Sequence, residues 1–183
     1  SRERIADELL KLLGLPNPSA TVALMLDRGL LQPVLPEISA AQLPVLRGLI
    51  APEEEAGIAP DGLRRLASLL PRDVAIAESV AVRLKLSNKA RKRLACAAQD
   101  LAALSPQAIA YRLGTACAVD QLLLDRHADA AARMSKWKAP RLPIGGGVLI
   151  ERGLREGPVV SRTLRKIEER WVEAGFPDGH QFD

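Results

Sequence analysis

Aromatic side chains make up only 3% of the chain, and runs of β-branched residues are scarce. Strands draw on both, so little here favours a sheet. Histidine occurs twice, at His127 and His180, far apart and in neither an HxxxH nor a His–Asp pairing. Both read as loop or solvent-facing residues, and no metal-ligand set emerges. GxSxG, P-loop and DxD motifs are absent. That removes an activated serine, a phosphate cradle with its lysine, and paired aspartates holding Mg²⁺. The three glycines at Gly145–Gly147 precede no Lys-Ser/Thr pair and read as a turn. Two cysteines, Cys96 and Cys117, lack CxxC spacing and read as small buried thiols in a reducing compartment. No apolar run approaches the roughly 20 residues of a membrane span, and the charged opening SRERIADELL is no signal peptide. These absences predict a cytoplasmic protein, off the membrane, with no catalytic residue or metal site of its own.

What the chain has is alanine and leucine, which lose little side-chain entropy in a helix; the expected fold class is all-α. Ser1 is placed to cap a first helix carrying Ile5, Leu9, Leu12 and Leu13, with Gly14 after it. Within it Arg4 and Glu8 are four apart and spaced to pair, and Glu3 suits the helix N-terminus. A second helix runs through Val22 and Leu26 to Gly29, and Leu30 to Glu37, with two prolines, reads as an apolar loop. Further helices are expected over 40–50 and 60–70, with Glu53–Glu55 between them as a solvated loop. Ala77, Val80, Ala81 and Leu84 form an apolar stripe. Ser87 and Ser105 read as N-caps, the latter followed by Pro106 at the tolerated first position. The proline- and glycine-rich stretch 135–147 is the best boundary. Beyond it lie a short helix near Val148 and a final helix opened by Gly157-Pro158, with Val160, Leu164, Ile167 and Trp171 on one face. The expected division is 1–16, a helical body 17–135 and a small tail 136–183. Ile5, Leu9, Leu94, Leu101, Leu164 and Trp171 are expected in the core.

Charge is unevenly spread. Ser1–Val80 carries 8 Lys/Arg against 11 Asp/Glu, and Ala81–Asp183 carries 18 against 11. A basic half suits a polyanionic partner. The sharpest run is RLKLSNKARKRL, with Arg83, Lys85, Lys89, Arg91, Lys92 and Arg93 and no acid. Lys89, Lys92 and Arg93 are expected opposite the Leu94 stripe, beside helix N-terminal amides that suit phosphate. Lys136, Lys138 and Arg141 form a second basic stretch. With so few aromatics to stack on bases, this pattern points to backbone and shape recognition of duplex-like RNA.

Five segments in order then resemble one family. SRERIADELLKLL is similar to the S-x-E-R-I-x-x-E-L element of the class II tRNA nucleotidyltransferase and poly(A) polymerase family, with Ser1, Glu3, Arg4 and Glu8 at its motif positions. MLDRGLLQPVLPE resembles the stretch that follows, RLKLSNKARKRL the body, and RLGTACAVDQLLL its glycine-containing helix. LPIGGGVLIERGLREGPVVSRTLRKIEERWVEAGF resembles the tail, with Gly147 in place of the usual Asp and Ser161 in place of the usual Gly. The resemblance implies the neck end, body and tail of an enzyme that extends RNA 3′ ends with Mg²⁺ and ATP or CTP. Its catalytic head would precede Ser1, so this stretch alone is expected to be inactive, with no cofactor of its own. Its implied task is to hold RNA, with tRNA and CCA addition preferred over poly(A) addition. A non-enzymatic helical module that binds protein through apolar surfaces is the alternative.

Overall fold

Ser1 opens the first helix: its hydroxyl accepts the backbone N–H of Arg4, and α1 spans Arg2–Leu13. In the computed structural model, which describes residues 1–178, α-helices and one 3-10 turn (Ala40–Gln42) are joined by loops. After α1 come α2 (Ser19–Asp27), α3 (Leu43–Ala56), α4 (Gly62–Leu69), α5 (Val74–Arg83), α6 (Asn88–Ala97), α7 (Pro106–Leu113), α8 (Thr115–Leu124), α9 (Ala128–Lys136), α10 (Gly146–Glu151) and α11 (Pro158–Glu173). The described residues contain no strand, and the fold is all-α. None of their helices is long and apolar enough to cross a membrane. The chain divides into two units, Ser1–Trp137 and Lys138–Asp183, where boundaries after residues 16 and 135 were expected. His180 lies outside the described residues.

Local rules account for most helix starts. Ser87 and Ser105 accept backbone N–H groups from Ala90 and Ala108, and Asp61 and Asp73 each cap two amides. Gly114, at φ 96°, separates α7 from α8. In unit 1 the apolar side chains form two clusters. One gathers Leu9, Leu13, Leu46, Leu66, Val80 and Leu94; the other gathers Leu49, Ile109, Ala118, Leu123 and Met134. Leu31 and Leu35 of the proline-containing loop are buried in the first cluster. In unit 2, Leu149, Val160, Trp171 and Val172 are buried, and the Trp171 indole N–H donates to the Pro177 carbonyl.

Several expectations fail in instructive ways. Ile5 is 44% exposed, because the buried stripe of α1 runs through Ala6, Leu9 and Leu13 and so turns Ile5 outward. Leu101 and Leu164 are only half-buried. Arg4 does not pair with Glu8; Glu8 pairs with Lys11 and Glu3 with Lys85. Glu53–Glu55 is not a solvated loop. Instead α3 continues through Pro52 to Ala56, and Glu53 is 1% exposed. Nor are the cysteines separate thiols: Cys96 and Cys117, with Cα atoms 6.0 Å apart, form a disulfide between α6 and α8.

The Glu53 carboxylate explains why the helix runs on past a proline that costs it a hydrogen bond. It accepts from Arg64 Nη1 at 2.7 Å and from Arg65 Nη2 at 2.8 Å, both on α4. Arg65 also donates to the Leu13, Leu15 and Pro16 carbonyls at the end of α1. Arg64 Nε reaches Asp120 of α8 at 2.8 Å. Asp120 takes a two-pronged pair of hydrogen bonds from Arg93 of α6, whose third nitrogen meets Asp61 at 3.0 Å. Three acids and three arginines thus balance, and no buried side-chain polar atom of the described residues lacks a partner. The network joins helices of the first apolar cluster to α8 of the second.

Candidate nucleic-acid interface

The single-signed run Arg83–Leu94 acquires its counter-charges from other elements. Arg83 donates to both oxygens of Glu37 at 2.9 and 2.7 Å. Those hydrogen bonds hold the Glu37 carboxyl below its ordinary range. Lys85 meets Glu3 at 2.9 Å, and this bond is the main reason the Glu3 carboxyl falls to about 2. Arg91 pairs with Glu78 at 3.0 Å. Arg93, expected on the open face, turns inward to Asp120 and Asp61 and is half-buried. Burial works against its charge, but the hydrogen bond to Asp120 and the two carboxylates more than reverse that and raise it above the ordinary arginine value. Burial likewise pushes Asp61 up, while the Arg64 backbone N–H and the Arg93 guanidinium overcome it and leave Asp61 low.

Two of the six cations remain open. Lys89 and Lys92 are exposed on α6 with no acidic partner among the described residues, three positions apart and so neighbours on one face. Ser87 caps the same helix start, and Leu94 on its other side is 1% exposed. Lys136 ends α9, and Lys138 and Arg141 lie in the segment that opens unit 2; all three are exposed and unpaired among the described residues. Such cations can displace condensed counterions from a phosphate backbone at little desolvation cost, whereas a paired arginine must first give up its carboxylate. Sequence reading missed the distinction because the partners Glu37, Glu78 and Asp120 lie 46, 13 and 27 positions away from their cations.

A second feature lies at the other end of the chain. Residues of α1, α2 and the 30–35 loop line an apolar groove of about 390 Å³, with Ile5 and Leu30 exposed at 44% and 61%. Ser1, Arg4 and Glu8 also line it. No cluster of three or more His, Cys, Asp or Glu among the described residues could hold a metal ion. The acids that come together, Glu53, Asp61 and Asp120, are saturated by arginines, so these residues do not fit the Mg²⁺ that the family resemblance implies.

Residues 1–42 match the family model described as the probable RNA and SrmB-binding site of polymerase A. No curated protein matches the chain. The matched segment holds four basic and five acidic residues, and the groove-lining residues all fall inside it. The match relates the chain to poly(A) polymerase proteins, through a segment described in that family as binding RNA.

Proposed function

We propose that this chain is the RNA-holding region of an RNA 3′-end nucleotidyltransferase. The match of residues 1–42 carries the reading, and the order of the four later segments supports it. Binding of the RNA backbone falls to Lys89 and Lys92, with Lys136, Lys138 and Arg141 adding charge in the following basic stretch. Structured RNA such as tRNA is the favoured class of substrate, since lysines without stacking aromatics suit phosphates more than bases. Of the two chemistries in the resembling family, the basic body suits CCA addition to tRNA, and the description of the matched segment speaks for poly(A) addition. Mg²⁺ and ATP or CTP would be bound by a catalytic head, not by these residues. The test is direct binding of the chain to a tRNA or a duplex RNA at about 50 mM salt, repeated at 200 mM. Binding should weaken on the order of tenfold or more if three or four phosphates are engaged. No binding at the lower salt overturns the reading.

One observation favours a protein-binding role beside it. The groove of the matched segment is apolar and its surroundings carry no excess of positive charge, so it suits side chains of a protein better than phosphate. Salt-insensitive binding of a protein, with no RNA affinity, would put this reading first.

A further inference from the structure

We propose that unit 1 carries a seat for one unstacked ribonucleotide, built from two adjoining hollows that share His127. One, of about 350 Å³, is lined by Arg126, Arg133, Glu55 and Asp129 together with His127. These four charged side chains gather at one hollow yet make no ion pair within 4.0 Å among the described residues. The other, of about 380 Å³, is walled chiefly by apolar side chains, among them Leu104, Pro106, Ile109 and Leu122. His127 and Ala130 line both. The charged hollow offers what a sugar phosphate needs: guanidinium groups for the phosphate, and carboxylates that accept ribose hydroxyls. The apolar hollow offers a slot for the base, and an imidazole between the two is a stacking surface of the kind that receives splayed bases.

Gly48 bears on how Arg126 is placed. It lies inside α3, where glycine is a poor choice relative to alanine. A Cβ there would collide with the Arg126 guanidinium. The glycine therefore makes room for Arg126 to lie across α3. Arg126 itself stands at φ 63°, in the left-handed turn that ends α8, where its N–H donates to the Leu123 carbonyl and that of His127 to Leu122. Packing on α3 thus places the Arg126 guanidinium, and the turn fixes the backbone from which His127 projects.

The nucleotide can come from solution or from a bulge in RNA, and only the second source rests on the RNA reading above. The probes are AMP and CMP, inorganic phosphate, and two RNA hairpins that differ by one bulged nucleotide. They are titrated into the wild-type chain, His127→Ala, Arg133→Ala and Gly48→Ala. The wild type should saturate with AMP or CMP, or bind the bulged hairpin about fivefold or more tightly than the paired one. His127→Ala and Arg133→Ala should remove most of that preference. Gly48→Ala keeps every charge and should keep the helical circular dichroism, yet reduce the preference, because the Arg126 guanidinium must move off α3. Mononucleotide saturation without hairpin binding keeps the seat and sinks the RNA reading. Salt-dependent hairpin binding with neither a bulge preference nor mononucleotide saturation keeps the RNA reading and sinks the seat. Phosphate competing as well as AMP, or Gly48→Ala and His127→Ala binding like the wild type, also overturns it.

Discussion

Glu53 lies between two guanidinium groups with 1% of its surface exposed, while its neighbours Glu54 and Glu55 face solvent. Removing one partner from a buried ionic cluster leaves the others charged and unpaired, which costs about 3–5 kcal/mol. Glu53→Ala should therefore lower the free energy of unfolding in urea by that amount, and Glu54→Ala should change it by no more than about 0.5 kcal/mol. The same chemistry sets an acid limit. Asp61 and Glu37 titrate lower in the folded chain than their ordinary values of 3.8 and 4.5. A carboxyl that is lower when folded contributes stability above its unfolded value and loses it as pH falls through the folded one. Stability should be level from about pH 7 to 5 and drop below about pH 4, and Asp61→Asn, which can still cap α4, should flatten that drop in urea titrations at stepped pH. None of this was legible in the sequence. Three adjacent glutamates look alike there, and what distinguishes Glu53 is a pair of arginines whose inward direction only the packed fold supplies.

At the scale of elements the sequence was more informative, because caps and breakers act within a few residues. Ser87, Ser105 and Gly114 do what their local chemistry requires, and replacing Ser87 with Ala should cost about 1 kcal/mol by leaving the Ala90 amide without its acceptor. Helix ends governed by distant partners were not legible. A proline at position 52 argues for stopping α3, and the buried ionic bonds of Glu53 override it. Gly62 is similar: at the start of α4 it looks merely permissive, yet a Cβ there would press on the backbone of Leu10 in α1. That neighbour is main chain and cannot swing aside. Gly62→Ala should thus destabilise by about 1–3 kcal/mol, seen as a lower urea midpoint with an unchanged slope. In α1, Ile5 and Leu9 look equivalent in a periodic reading, and a rotation of one residue decides which is buried.

Across the whole molecule the sequence located the basic half, but it could not separate the cations that neutralise the protein's own acids from those that stay unpaired among the described residues. Of the run Arg83–Arg93, four are engaged by Glu37, Glu3, Glu78, Asp61 and Asp120, and Lys89 and Lys92 are open. On the proposed reading, RNA affinity rests on the charges that the fold leaves unpaired. The measurement that tests this most directly is the salt dependence of tRNA binding, compared among the wild type, Lys89→Ala/Lys92→Ala and Arg91→Ala. Removing one lysine–phosphate interaction should reduce the slope of log affinity against log salt by roughly 0.7–0.9. The slope of the double variant should thus be shallower by about 1.4–1.8 with its helical content intact, while Arg91→Ala, whose charge is already met by Glu78, should keep the wild-type slope. Equal slopes for wild type and double variant, or a larger reduction in Arg91→Ala, would contradict the account.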